Sequence, residues 1–317
     1  MTETTRTIFD NYVIRKTKKQ KTAFIHYVQT TASAEGYESH TEKGYFGARN
    51  IVVGNPEKAK IIYTAHYDTC ARLPFPNFIT PKSIGIYLLY QVLLTVILLG
   101  LPSLLTIGLG AILSRFVSEG IGVLILYYGW LAMVVAELWL IMAGPANKHT
   151  ANDNTSGVTT LLDIMHALPG ELRGDVAFIF FDLEEMGLFG SAGYASKHKS
   201  VMKNTLLLNF DCVSDGNTIL FAVRPGAKQH AEVIASSFPT TDTHRVEVVS
   251  KGVFYPSDQA NFARGVGVAA LKQSKRGVLY MDRIHTKHDT VYEEGNIAYL
   301  TEGAVRLAQN LTQHTDE

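Results

Sequence analysis

The chain has 317 residues, 46% of them hydrophobic, enough for one large domain or two smaller ones around a sizeable core. Its 29 lysines and arginines balance 29 aspartates and glutamates, so no global field recruits nucleic acid or repels anions. Cys70 and Cys212 are its only cysteines, which argues against a disulfide scaffold and allows a reducing compartment.

The first thirty residues are polar and basic, with Arg15, Lys16, Lys18, Lys19 and Lys21, and do not form a secretory signal peptide. Ile8 to Val28 reads as a helix with a basic face, and Tyr37 to Ala48 as a polar hairpin or edge strand. Asn50 to Val53 and Lys60 to Ala65 are β-rich runs parted by Gly54-Asn55-Pro56, which predicts two neighbouring strands. The second is apolar almost throughout, as a strand covered on both faces should be, and it ends in His66-Tyr67-Asp68. In an extended His-X-Asp the two side chains point the same way, so Asp68 can fix the tautomer of a metal-bound His66. Alone the tripeptide is a weak signal. Its place at the carboxyl end of a buried strand, where open α/β sheets bind ligands, strengthens it.

Ile84 to Leu113 then gives thirty residues without a charge, and Ile121 to Ala143 follows with only Glu137. Each stretch exceeds the about 20 helical residues that cross a hydrocarbon core. The short link Ser114 to Gly120 makes them an antiparallel hairpin, expected to span the bilayer. The bland alternative is a buried pair of helices at a dimer interface or over the site as a lid. Pro102, with Gly108 and Gly110, predicts that the first helix is kinked or ends early. Gln91 and Glu137 should face each other, water or protein. Arg72, Lys82 and Lys148 flank the hairpin on one side and only Arg115 lies in its tip, which places the catalytic side in the cytoplasm.

Asn152-Asp153-Asn154-Thr155-Ser156-Gly157 precedes a helical run from Val158 to Leu168. Asp153 or Thr155 would serve as an ordinary helix cap, and Asp153 also stands where an acid points back across the sheet edge toward His66. The apolar strand Val176 to Phe181 empties into Asp182-Leu183-Glu184-Glu185-Met186-Gly187. On a bend the two glutamates diverge, so Glu185 would ligate a metal while Glu184 faces a substrate or water. A lone Glu-Glu pair is usually solvated surface, yet a further strand, Leu206 to Phe210, ends in Asp211, and acids or imidazoles now close three buried strands. Tyr255-Pro256-Ser257-Asp258-Gln259 turns into a short helix, strand Val266 to Leu271 follows, and His285 and His288 are both candidate ligands. A helix from Asn296 to Thr312 closes the chain.

His66-X-Asp68, Asp153-Asn154-X-Ser156-Gly157, Asp182-X-Glu184-Glu185-X-Gly187-X-X-Gly190-Ser191, Asp211, Ser257-Asp258 and His285-Thr286-X-X-Asp289-Thr290 resemble, in order, the motifs of the cocatalytic-zinc aminopeptidases of metallopeptidase clan MH, which also has a glutaminyl-cyclase branch. The likeness covers most of Asn50 to Leu311 outside the hairpin. It implies a three-layer α/β/α sandwich on a mixed, mostly parallel sheet, with residues 1–82 and 145–317 forming the catalytic domain and 83–144 the inserted hairpin. It implies one zinc held by His66, Asp153 and Asp211 and another by Asp153, Glu185 and His285, manganese or cobalt being substitutes. Asp68 would orient His66, Glu184 would act as general base on a hydroxide shared by the ions, and Tyr255 would donate to the oxyanion. The implied substrate is a peptide with a free amino terminus. The implied partners include the bilayer, through 84–143, and no nucleic acid; oligomerisation is open.

The sequence departs from that family in two places. The chain between Asp68 and Asp153 is a short loop in relatives, and Gln259 replaces a frequent histidine. The rival readings are a glutaminyl-cyclase-like acyltransferase and a catalytically inactive membrane receptor or scaffold on the same fold. The intact ligand set disfavours both.

Overall fold

The computed structural model describes residues 1–313. Helices α1 (Glu3–Asn11) and α2 (Lys18–Ala34) lead into strands β1 (Ser39–Lys43), β2 (Arg49–Val53) and β3 (Ile61–His66). The long helices α3 (Ile84–Leu113) and α4 (Glu119–Ala143) follow, then α5 (Gly157–Ala167), β4 (Val176–Phe181), α6 (Phe189–Lys197), α7 (Lys199–Asn204), β5 (Leu206–Phe210) and β6 (Thr218–Val223). The chain continues through α8 (Ala231–Ser237), β7 (Arg245–Val249), β8 (Gly265–Gln273), β9 (Leu279–Tyr280) and α9 (Glu294–Gln313).

The strands of the described residues form one mixed sheet in the order β1-β2-β4-β3-β5-β8-β6-β7, with β9 on β8. Its middle is parallel, because β3 pairs in parallel with both β4 and β5, and β5 with β8. Alternation along β4 explains the layers. Val176, Phe178 and Phe180 enter the larger core with Phe24, Leu161, Ile234 and Leu300 from the helices on that face, while Ala177, Ile179 and Phe181 enter a second core with Tyr194, Met202 and Phe262. A strand apolar on both faces needs helices on both faces, and the result is the expected three-layer α/β/α sandwich.

Two local expectations fail. β2 and β3 are not neighbours, since β4 lies between them, antiparallel to β2 and parallel to β3. The turn residues Gly54 to Pro56 mark a reversal without saying which strand fills the slot, and β4 fills it with apolar side chains on both faces. The basic N-terminal helix is also broken, because Thr17 and Gln20 form a capping box that starts α2 afresh at Lys18. The break turns Arg15 inward and Lys21 toward β4, where Lys21 Nζ lies 2.5 Å from Asp182 Oδ1 in a nearly dry pair. Removing one partner of such a pair strands the other. Lys21→Ala is therefore expected to lower unfolding stability by about 3 kcal/mol in denaturant titrations, even though Asp182 also accepts the Arg49 and Leu183 amides.

The helices α3 and α4 stand away from this body. Both are long and apolar enough to cross a membrane, and only 6% of the most apolar stretch of each is buried. They touch each other through small residues, with Gly110 against Leu126 and the Trp130 indole donating to Ser103 Oγ at 3.1 Å. α3 does not end early at Pro102 but continues to Leu113. Ser103 and Thr106 hydroxyls donate back to the Leu99 and Pro102 carbonyls one turn before them, so these polar side chains are satisfied within the helix. At the foot of the hairpin the two chain segments form a small stem, with Ala71 bridged to Ala146, the Arg72 amide donating to Pro145 O and the Asn147 amide to Cys70 O.

Candidate metal centre

His66 ends β3 in the middle of the parallel strands. The adjoining β4 delivers Glu184 and Glu185 on one side, and β5 delivers Asp211 on the other. Asp153 comes from the irregular turn Ala151–Ser156 ahead of α5, and His285 from the loop after β9. Three residues at this rim hold left-handed backbone that side chains rarely adopt: Leu183 (φ 55), Cys212 (φ 57) and His285 (φ 65). Leu183 precedes Glu184, Cys212 follows Asp211 and His285 is itself a candidate ligand, and backbone strain of this kind concentrates at functional sites. Gly157 is required for packing. A Cβ there would lie 2.2 Å from Phe210 O, so only glycine lets the start of α5 press against the end of β5.

The five expected ligands converge. His66 Nε2 lies 3.3 Å from Asp153 Oδ1 and 3.4 Å from Asp211 Oδ1. His285 Nε2 lies 3.1 Å from Asp153 Oδ2 and 3.2 Å from Glu185 Oε2. Asp153 thus turns one oxygen to each histidine. The two donor sets share it, and His288 takes no part in either.

Neighbouring groups fix these side chains. The main-chain carbonyl of Asp68 is 3.2 Å from His66 Nδ1, and a carbonyl only accepts, so Nδ1 carries a proton and Nε2 is the nitrogen that would give its lone pair to a cation. The Asp68 carboxylate is 3.6 Å from Nδ1 and does more than the sequence suggests, because it accepts the amides of Glu184 at 3.1 Å and Glu185 at 3.3 Å. Asp289 holds the bridging loop by accepting the Asn152 amide at 2.8 Å and the Asp153 amide at 3.0 Å. The helix start is capped by Asn154, whose Oδ1 accepts the Gly157 amide, and not by Asp153 or Thr155. Tyr255 lines the cavity, but its hydroxyl donates to Asp211 O at 2.9 Å and so positions Asp211. Gln259 lies behind the site, donating to Tyr255 O and accepting from Asn209.

Arg15 is a buried neighbour of the site that sequence reading missed. Fully buried beneath the centre, it donates to the Tyr67 carbonyl at 2.5 Å and the Tyr12 carbonyl at 2.7 Å. Nothing in a run of basic residues marks which one turns inward.

The electrostatics show what the arrangement lacks. Enclosure in protein pushes the carboxyls of Glu184 and Glu185 well above the usual range, and neighbouring carboxylates add to it. Burial and the charge of Asp153 raise Asp289 to about 7, and burial raises Asp258 to about 7. Burial pulls His66 down, but Glu184 and the bonds to Asp153, Asp211 and Asp68 override it and hold it well above its ordinary value. The cluster has more negative charge than its two imidazoles balance. Glu185 Oε1 is buried with no hydrogen-bond partner, an orphan that a cation would satisfy. Imidazole and carboxylate donors at this spacing suit zinc. Beside them opens a cavity of about 280 Å³ lined by Asn77, Ile79, Leu188, Tyr255, Pro256 and Ile284.

A family model described as Peptidase family M28 matches residues 137–303, more than half of the chain. The chain belongs to this peptidase family. The match takes in Asp153, Glu184, Glu185, Asp211 and His285, while His66 and Asp68 lie ahead of it. Among curated proteins, none matches the chain. The fold is similar to that of the Legionella pneumophila LapA aminopeptidase, with a TM-score of 0.57 and 13% identity over 97% of this chain and 70% of that one. A Zn-dependent exopeptidase from Parabacteroides distasonis gives 0.57 and 14% over 96% and 97%. The Bacteroides thetaiotaomicron glutaminyl cyclase bound to N-acetylhistamine gives 0.56 and 16% over 96% of each chain. At such identities the likeness is one of fold. M28 membership together with the buried ligand cluster supports a zinc-dependent, peptidase-like function.

Proposed function

We propose that this M28 protein is a membrane-anchored aminopeptidase with two zinc ions, which removes N-terminal residues from peptides. The observation that carries the reading is Asp153, with one carboxylate oxygen toward His66 and the other toward His285. His66, Asp153 and Asp211 would hold one ion, and Asp153, Glu185 and His285 the other. When bound, the ions supply Lewis acidity, polarising the scissile carbonyl and making water a nucleophile near neutral pH.

The chain's own residues do the rest. Asp68 keeps the proton on His66 Nδ1 and holds the Glu184–Glu185 main chain, so that the two carboxyls stay apart. Glu184, facing the cavity, takes the proton from the attacking water and returns it to the departing amine. The excess of carboxylates receives a protonated amino terminus, which favours cleavage at the chain end. Tyr255 reaches a developing oxyanion only by releasing Asp211 O.

Metal analysis together with a panel of free and N-blocked aminoacyl substrates tests the reading. Zinc-dependent release of the free-amine class alone is expected. Cyclisation of N-terminal glutamine without hydrolysis would replace it with the glutaminyl-cyclase reading, and cleavage of blocked peptides at internal bonds would make the protein an endopeptidase.

The hairpin supports anchoring, since Leu89, Leu104 and Ile107 are each about 70% exposed on α3 and α4 offers a similar surface. Arg72, Lys82 and Lys148 lie at its foot with the catalytic domain, and Lys16 Nζ donates to Met142 O there, which supports a cytoplasmic site. Replacing residues 84–143 by a Gly-Ser linker, with the stem kept, is expected to give a protein soluble without detergent. It should retain its zinc and its turnover of soluble aminoacyl substrates and lose activity on membrane-presented peptides. Unchanged activity on that last class would separate the hairpin from substrate choice.

A further inference from the structure

We infer that Cys70 is a ligand of the ion held by Asp153, Glu185 and His285, so that one half of the centre has a sulfur donor. The inference rests on the two-ion reading above and goes beyond it. Cys70, Asp153, Glu185 and His285 each present a donor atom, and the four lie within 4.8 Å of one another. A tetrahedral zinc site with Zn–S of about 2.3 Å and Zn–N and Zn–O of about 2.0–2.2 Å places its donors roughly 3.5 Å apart, so closure takes a contraction of about 1 Å.

The surroundings hold these groups together. Cys70 is a free cysteine, 1% exposed. Its carbonyl accepts the Asn147 amide in the stem of the hairpin, and the Leu73 amide three residues on donates to His285 O at 2.8 Å. The main chains of Cys70 and His285 are therefore held in neighbouring, hydrogen-bonded segments. The Glu185 side chain is 6% exposed, and its Oε1 has no partner and is buried in this cluster. An unpartnered carboxylate oxygen, an imidazole, a bridging carboxylate and a thiol make a four-donor set for a borderline-soft ion.

Cys212 shows the contrast. Its Sγ also lies within 4.8 Å of donor atoms of Asp153 and Asp211, but it already donates to Asp211 Oδ1 at 3.1 Å, so this second thiol serves as a hydrogen-bond donor in the other half. Sulfur in only one half differentiates the two ions. The half with Cys70 is coordinatively filled and prefers zinc over harder ions such as manganese. The other half draws its nitrogen and oxygen donors from His66, Asp153 and Asp211, with the Glu184 carboxylate within 4.8 Å of the His66 and Asp211 donor atoms.

The full chain in detergent, stripped of metal and titrated with Co²⁺, tests this. Two ions per chain should bind, read from visible d–d absorption, with near-ultraviolet thiolate-to-cobalt charge transfer. That band should vanish in Cys70→Ser and remain in Cys212→Ser. Zinc affinity of the affected half should fall by at least about 10-fold in Cys70→Ser, with the preference for zinc over manganese reduced. Two bound cobalt ions without charge transfer in the wild type would overturn the sulfur ligand and leave the two-ion reading standing, as would a band that survives Cys70→Ser. Absence of stoichiometric cobalt binding would overturn both. Where Cys70→Ser fails to fold, persistence of the band in Cys212→Ser assigns it to Cys70, and its loss there would overturn the inference.

Discussion

Glu184→Gln is expected to keep its metal and lose its catalysis. A positioned general base contributes about 10²- to 10⁴-fold, so kcat should fall by that factor with KM little changed, equivalent to about 3–5 kcal/mol of transition-state stabilisation. Glutamine preserves the size of the side chain and cannot take up the proton. The main-chain amides of Glu184 and Glu185 remain bonded to Asp68, so the ligand geometry should survive. One competing role has a structural basis, because the Glu184 carboxylate lies within ligand reach of His66 and Asp211. Metal content separates the two. If Glu184→Gln loses an ion together with its activity, Glu184 is a ligand and the base assignment fails; turnover that persists undiminished would remove it from the mechanism. Glu185→Gln should do the opposite, weakening the ion shared with His285 before any effect on proton transfer is seen.

The parts of this site that sequence reading recovers share one physical cause. β4 and β5 are apolar on both faces and end abruptly in acids, so their limits, Val176–Phe181 and Leu206–Phe210, coincide with the expected ones, and Glu184, Glu185 and Asp211 fall at strand ends in a sheet that binds at its carboxyl edge. His285 is not separable from His288 by its own surroundings in sequence; only the likeness to the zinc aminopeptidases distinguishes it. Residues whose role comes from tertiary contact left no local trace. Arg15 is one of five cations in a short basic stretch, and only the break before α2 buries it. Cys70 is a small apolar side chain in sequence and stands beside Glu185 and His285 only because the stem of the hairpin is tied to the loop after β9. Pro102 removes one backbone donor, yet α3 continues to Leu113, so a proline within an apolar run does not by itself mark a helix end.

Asp153→Ala is expected to disable both halves of the centre at once. Its two oxygens face different histidines, at 3.3 and 3.1 Å, so one substitution leaves His66 with Asp211 and His285 with Glu185. Loss of even an outer-shell partner weakens metal binding about 10- to 100-fold, so removal of a shared ligand should weaken each ion by more than about 100-fold, with hydrolysis lost in parallel. Asp211→Asn and His285→Ala supply the comparison, since each touches one set and should release one ion. Asp289→Asn is the graded case. The main chain around Asp153 would lose its anionic acceptor for two amides while keeping the ligand, so both ions should loosen modestly and together. Metal content after dialysis against a buffered chelator reads all four variants. The shared role of Asp153 requires both ions to leave in Asp153→Ala; retention of one at wild-type affinity would mean that its two oxygens serve a single ion and that the second histidine faces it for another reason.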